Sequence, residues 1–486
     1  MSNSPFELKA RAHQAMAEAG FHPDFPPDVR TEVQAWQQTA RSQTPAASDL
    51  RALLWSSIDN DSSRDLDQVE YIERSANGGY RLLVGIADVD ATVPRRSATD
   101  RHAGSETTSV YTGVATFPML PAELSTDLTS LLDAQERCSV IMDLHIDAAG
   151  ELAGCSVYTA LLRNQARLAY SSTGAWLEGT GPIPPAVAAV TGMEQQLRLQ
   201  WEAAQKLRAT RKKHGALTFA SAEPTPIMQN GELKELALRP HNVAEDIIES
   251  FMVAANVAMA QFLREKSCLS IRRVVRTPRR WARIQAIAFG FGVKLPDTPD
   301  PHALSVFLEQ RQAADPAHFP DLSLSIVKLL GPGEYIVESP GKESVGHFGL
   351  AAHDYTHSTA PNRRFADLVT QRLLKAASTN APSPYSESEL TTIASHCTER
   401  EDAARKVERL MRKVAAATLL SRRIGEIFDG IVTGASPKGT YARLLKFPAE
   451  GRVIRGTQGV DVGDRVRVRL LSVEVSKGFI DFERVP

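Results

Sequence analysis

Four aspartates fall within nine residues of the segment Ile58-Asp59-Asn60-Asp61-Ser62-Ser63-Arg64-Asp65-Leu66-Asp67-Gln68-Val69-Glu70. Carboxylates this dense repel one another unless a hard cation neutralises them, and these lie between apolar segments rather than in an open charged run. Asp59, Asp65 and Asp67, spaced i, i+6 and i+8, are the side chains offered to a divalent metal. A solvated acidic turn is one competing reading. A calcium loop of EF-hand type is another: counted from Asp59, the residues Asp61, Ser63, Asp65, Asp67 and Glu70 stand at its ligand positions. Against calcium, Arg64 occupies the position where that loop turns on glycine, and the flanks read as strands rather than helices. Magnesium held by a few carboxylates, with open positions for a phosphate, fits the residue types better.

The elements that must position this loop are strands on its own side and helices beyond. Gly79–Val93 reads as a strand pair, and Arg137–Ile146 as a strand with alternating apolar positions before the turn at 147–150. From 190 to 424 helices dominate, at Glu194–Arg211, Ala244–Glu265, Arg279–Phe289, Arg363–Ala377 and Ser386–Arg423. Strands first and helices later imply one large α+β body. Before it, residues 6–19 and Asp28–Arg41 read as two short helices, either a helix-turn-helix module or an embellishment on a neighbour, followed by a linker at 42–48. After it, Ile427–Thr433, Thr440–Leu445, Gly451–Val453, Arg465–Ser472 and Phe479–Phe482 are five short strands, which suits a small barrel of oligonucleotide-binding (OB) type. The predicted organisation is therefore an α+β multidomain chain: a helical module at 1–48, a catalytic body at 49–424 and a β-barrel at 425–486.

Composition bounds the partners. The 486 residues hold 56 Lys and Arg against 57 Asp and Glu, so any attraction to a polyanion must come from local patches. Residues 427–486 form one such patch, with ten basic and seven acidic side chains. Arg211-Lys212-Lys213-His214 and the run Arg272, Arg273, Arg276, Arg279, Arg280, Arg283 are two more that could neutralise phosphates. Cys138, Cys155, Cys268 and Cys397 show no metal-ligand spacing and no disulfide framework. The polar N-terminus has no signal-peptide core, and the apolar stretch Ile247–Leu263 is interrupted by Glu249, Ser250, Asn256 and Gln261. A cytoplasmic, monomeric protein away from membranes is the expectation.

The acidic loop resembles the I-D-x(5)-D-x-D-D signature of the ribonuclease II family, whose catalytic region is the RNB domain. Val84–Val89, Phe117–Leu131, Ala166–Glu178, Ile248–Asn256 and His347–Leu374 resemble further family segments in the same order, and the final barrel resembles the S1-like domain of such enzymes. The resemblance implies processive hydrolysis of single-stranded or 3′-tailed RNA from the 3′ end, releasing nucleoside 5′-monophosphates with Mg²⁺, for which Mn²⁺ can substitute. It implies metal ligation by Asp59, Asp65, Asp67 and the residue at 68. Asp67, Asp65 and Arg363 would then be catalytic, with Arg363 contacting the scissile phosphate. RNA contacts would come from Tyr111 and Tyr170, stacking on terminal bases, from Glu249 near a ribose, and from Glu399, which would influence release.

Two departures stand out. The family has a fourth aspartate where this chain has Gln68, whose amide oxygen can ligate but brings no charge. Asp61 and Glu70 are the nearby acids that could compensate, and an RNA-binding protein with impaired catalysis is the alternative. Bacterial relatives also carry two cold-shock barrels before the RNB domain, where this chain has about 50 helical residues, which suggests a wider entrance for base-paired RNA.

Overall fold

Apolar residues recur at every second position through much of 68–87 and 136–163, and both stretches fold as antiparallel ribbons. The computed structural model describes residues 5–39, 48–219, 225–229, 232–237, 241–316, 318–342, 344–436, 439–447 and 449–486. The strands of the first half are β1 (Ser48–Asp49), β2 (Ser56–Asp59), β3 (Gln68–Arg74), β4 (Tyr80–Ala87), β5 (Val110–Tyr111), β6 (Thr116–Phe117), β7 (Glu136–Ile146), β8 (Leu152–Arg163) and β9 (Ala166–Ala169). All but the β5–β6 hairpin join one sheet in the order β1-β8-β7-β4-β3-β2-β9. Because β2 runs antiparallel to β3 and parallel to β9, the ends of β2 and β9 meet the start of β3 at one edge of the sheet. The acidic loop is the connection from β2 to β3.

Helices cover this sheet and carry the rest of the body. They are α1 (Pro5–Glu18), α2 (Pro27–Thr39), α3 (Val89–Thr92), α4 (Ala98–Glu106), α5 (Tyr170–Leu177), α6 (Pro185–Ala188), α7 (Met193–Lys213), α8 (Val243–Glu265), α9 (Trp281–Gly290), α10 (Pro301–Ala314), α11 (Phe319–Leu330), α12 (Phe365–Ser378) and α13 (Glu387–Leu420). Asn242 with Glu245 and Ser386 with Glu389 form capping boxes that start α8 and α13. By length and composition α8 could cross a membrane, but 78% of its apolar window is buried inside the fold, where it packs on α7, α5 and the sheet. At 34 residues, α13 runs about 50 Å and touches α1, the ribbon of β12 (Ser270–Val274) and β13 (Glu334–Glu338), and the C-terminal barrel. A second ribbon, β10 (Thr225–Gln229) with β11 (Glu232–Ala237), also lies against it.

The barrel closes as β14-β15-β16-β18-β17 around Val432, Ala442, Val453, Val468, Leu470 and Phe482. Its strands are β14 (Ile427–Ser436), β15 (Gly439–Leu444), β16 (Glu450–Arg455), β17 (Arg465–Glu474) and β18 (Phe479–Val485), each overlapping an expected strand. The α+β organisation with a terminal five-stranded barrel is thus as the sequence predicts.

Three local expectations need correction. Gly79–Val93 is one strand, not two: after β4, the Asp88 side chain accepts a hydrogen bond from Ala91 N–H and turns the chain into α3. The two N-terminal helices do not pair as a helix-turn-helix. Instead α1 buries Leu8, Ala12, Ala15 and Met16 against Val407 and Met411 of α13, while α2 lies on α4. The predicted start of α12 is two residues early, because Arg363 and Arg364 belong to the turn before it. The linker expected at 42–48 lies outside the described residues up to 47. All four cysteines are free.

The helix that follows the Arg363 turn is fastened by one buried guanidinium. Arg372 on α12 donates to Asp90, Asp100, the Tyr385 hydroxyl and the Val93 carbonyl, each at 2.8 Å. Removing one partner of such a network leaves the others buried and unsatisfied. Arg372→Met should therefore lower stability by about 3–5 kcal/mol, read as a shift in the guanidinium chloride unfolding midpoint.

Candidate active site

The β2–β3 connection is held by its backbone, which leaves its acids free to face one place. Leu66 is buried as an apolar anchor, its N–H donates to Ser130 Oγ, and Ser130 Oγ in turn donates to the Arg64 carbonyl at 2.6 Å. Arg167 from β9 donates to the carbonyls of Asp61 and Ser63. Ala87 N–H at the end of β4 donates to the Asp67 carbonyl at 2.9 Å. The loop is therefore pinned to two strands, β4 and β9, and to the turn at Ser130.

The side chains divide by depth. Asp67 is only 1% exposed. Its Oδ1 accepts the Asn362 N–H at 2.9 Å, Arg363 Nε lies 3.4 Å from its Oδ2, and that Oδ2 has no hydrogen-bond partner. Burial pushes its carboxyl up to about 7, against the pull of Arg363 and the Asn362 N–H. Asp65, half-buried, accepts the Tyr111 hydroxyl at 3.1 Å. Asp59 ends β2, and its Oδ1 accepts from Asn60 N–H and Ser63 Oγ. Gln68 is buried at the start of β3. Among the described residues the loop carboxylates do not draw together as a group within 4.8 Å of one another.

Arg363 is presented by a turn that Asp367 organises. Asp367, wholly buried, accepts the Ala360 N–H and both arms of Arg364, at 2.7 and 2.8 Å. The ion pair that helical spacing would offer Arg363 with Asp367 is thus taken by Arg364, and Arg363 stays exposed beside Asp67. The adjoining chain is stitched to the same turn: Ser109 N–H donates to the Arg363 carbonyl, and Phe365 N–H to the Thr107 carbonyl. That pairing places Tyr111, 42% exposed, over the acids, while Glu408 of α13 accepts its N–H at 3.1 Å. A cleft of about 190 Å³ runs between Tyr111, Arg363, Arg364, Glu401 and Glu408.

Tyr170 opens α5 directly after β9, on the far side of Asp59. Burial and the charges of Asp59 and Glu70 raise its hydroxyl pKa. Gly174 lets this helix sit against the α8 cap, because a Cβ there would lie 2.6 Å from the Asn242 side chain.

Asp59, Asp65, Asp67, Gln68, Tyr111, Tyr170 and Arg363 are therefore gathered around the sheet edge. Two expected RNA contacts have other side-chain partners in the fold. Glu249 is exposed on α8, 3.5 Å from Arg211, and the group that does lie within 4.8 Å is His241, Asp246 and Glu249. Asp246 of that group pairs with Arg208 and His241. Glu399 faces outward from α13, where Ser395 is its partner, while Glu401 and Glu408 of the same helix reach the cleft. Part of the 272–283 basic run is structural: Arg272 is buried against Glu338, Arg273 against Glu401, and Arg276 pairs with Glu334, while Arg279, Arg280 and Arg283 are exposed. Sequence reasoning missed Asn362, Glu401 and Glu408 as site residues. Tertiary pairing across 295 and 297 residues selects Asn362 and Glu408, and the packing of α13 along the cleft selects Glu401.

The donor set suits a divalent cation. It is all oxygen, partly anionic, and includes a buried carboxylate oxygen that no protein group satisfies. Away from the sheet, the barrel adds a groove of about 840 Å³ bordered by Arg455, Arg465, Arg467 and Arg484.

Buried acids faced by an arginine and two tyrosines, with a basic OB-type barrel behind them, are the parts of a protein that handles a polyanionic chain. The sequence matches the RNB domain over residues 47–380 and the RNase II-type exonuclease C-terminal S1 domain over 426–485. The chain belongs to the RNB domain family. It is 28% identical to Ribonuclease R 2 of Lactococcus lactis, over 95% of this chain and 73% of that one. It is 28% identical to Ribonuclease R of Thermotoga maritima, over 88% of this chain but 61% of the relative, and so spans about six tenths of that protein's length. Its fold matches the apo form of Mycoplasma genitalium RNase R with a TM-score of 0.88 at 23% identity, covering 99% of this chain and 78% of that one. The same Mycoplasma protein matches in complex with ribose-methylated single-stranded RNA, with a TM-score of 0.87 at 22% identity and the same coverage.

The raised Asp67 carboxyl predicts a pH signature for the metal-free protein. The folded chain keeps this proton up to about pH 7, whereas the unfolded chain releases it near the ordinary carboxylate value of 3.8. Between those values the folded state binds more protons, so stability should fall as pH rises from about 4 to 7. Denaturant titrations should show this slope flattened by Asp67→Asn, and flattened also by saturating Mg²⁺, which favours the ionised carboxylate.

Proposed function

We propose that the chain is a processive, hydrolytic 3′→5′ exoribonuclease that degrades single-stranded or 3′-tailed RNA to nucleoside 5′-monophosphates with Mg²⁺ or, in its place, Mn²⁺. The observation that carries the reading is the pairing of a buried, half-satisfied carboxylate with an exposed guanidinium: Asp67 beside Arg363. Asp59, Asp65 and Asp67, with the Gln68 amide, would hold the metal. When bound, it would activate a water and stabilise charge at the phosphodiester.

The protein's own groups then have separable tasks. Arg363 offers a planar fork to phosphate oxygens, and because Asp367 is already saturated by Arg364, its charge is not drawn away from the substrate. Tyr111 presents an exposed ring on which a base can stack without sequence preference. Tyr170, across Asp59, is placed for a second such contact. The arginine groove of the barrel supports retention of the strand between cuts, since it acts on the backbone alone. Relatives named Ribonuclease R and a structural neighbour solved with single-stranded RNA support the substrate class. On this reading the protein acts as a cytoplasmic monomer.

Labelled single-stranded RNA incubated with the protein and Mg²⁺ should yield mononucleotides from the 3′ end. RNA binding without products would establish the impaired-catalysis alternative, traced to the missing charge at Gln68. Asp67→Asn should abolish turnover while leaving RNA affinity near wild type. Arg363→Ala should lower kcat by about 10²–10³-fold, the usual loss of a transition-state charge contact.

A further inference from the structure

Glu70 is fully buried in β3, and neither of its carboxylate oxygens has a hydrogen-bond partner. An isolated carboxylate in such a place costs several kcal/mol, and packing alone would favour an apolar residue there. Its position relates it to the acidic loop. Side chains two apart on a strand share a face, so Glu70 lies on the same face as Gln68. It is opposite Ser56 on the neighbouring β2, the strand that ends at Asp59. Asp59 repels it, and Tyr170, where β9 ends beside Asp59, is perturbed by both acids. The other acid able to replace the missing charge, Asp61, is exposed and already accepts Ser171 Oγ on both oxygens.

We propose that Glu70 supplies the fourth carboxylate of the divalent-metal site, in place of the one that position 68 lacks. This rests on the reading of Asp59, Asp65 and Asp67 as metal ligands. The loop then presents four anionic side chains, one of them drawn from inside the strand, and the cation satisfies oxygens that no protein donor reaches. Gln68 remains beside them as a neutral oxygen donor.

Calorimetric titration of the full chain with MnCl₂, together with thermal melts with and without Mn²⁺, tests the assignment without any turnover assay. Glu70→Gln keeps the shape and removes the charge. It should weaken Mn²⁺ binding by roughly tenfold or more, shrink the stabilisation that Mn²⁺ confers, and raise the melting temperature of the metal-free protein. Moving the charge back with Gln68→Asp in the Glu70→Gln background should recover the affinity; failure to recover it would give Glu70 a packing role and overturn the proposal. Unchanged Mn²⁺ affinity in Glu70→Gln while Asp59→Asn weakens it would overturn the proposal alone. Unchanged affinity in both variants would overturn the metal-site reading on which it rests.

Discussion

Carboxylates placed where protein donors do not reach them are the constraint on which this architecture turns. Asp67 and Glu70 are each essentially inaccessible to water, and three of their four side-chain oxygens lack a hydrogen bond. A fold tolerates such groups only if something else completes them, because desolvation without a partner opposes the ionised form. The surrounding structure holds the acids in place rather than neutralising them. The loop is tied down through Leu66, Ser130 and Arg167, and Arg363, the cation beside Asp67, lies 3.4 Å from its carboxylate on the exposed side.

That placement depends on a division of labour between adjacent arginines. Arg364 points inward and saturates Asp367, while Arg363 points outward into the cleft beside Asp67. Were the pairing exchanged, the guanidinium in the cleft would be locked in an internal ion pair and the turn would lose its anchor. The same turn carries Asn362, whose N–H is, among the described residues, the one hydrogen bond the Asp67 carboxylate receives, and it forms backbone bonds to the segment leading to Tyr111. The buried acid, the exposed guanidinium and the Tyr111 ring are therefore set by one stretch of chain, with Arg372 fastening the helix behind it.

Much of this was legible in the sequence. The acids announce themselves by density and by their place between apolar strands, and the barrel by five short alternating segments separated by glycine turns. The seven helices named from the sequence lie within three residues of their observed bounds, whereas Pro301–Ala314 and Phe319–Leu330 went unnamed. What escaped depends on which of two similar residues faces which way. Helical spacing made Arg363 a natural partner for Asp367, and only the helix beginning at Phe365 rather than Arg363 gives that role to Arg364. Glu399 and Glu408 sit on the same long helix, and nothing local distinguishes the one facing solvent from the one that holds Tyr111. The run at 272–276 reads as a basic patch, but the strand pairing of β12 with β13 sinks Arg272 and Arg273 among acids. Glu70 belongs to the same class: its charge is plain in the sequence, its burial only in the fold.

The most direct measurement is anomalous diffraction from crystals of the full chain grown with Mn²⁺. The account predicts a manganese peak at the edge of the sheet, bounded by Asp59, Asp65, Asp67 and Glu70, with Arg363 and Tyr111 facing it. An empty sheet edge at saturating Mn²⁺, with these acids turned to solvent or bonded to protein donors, would contradict it.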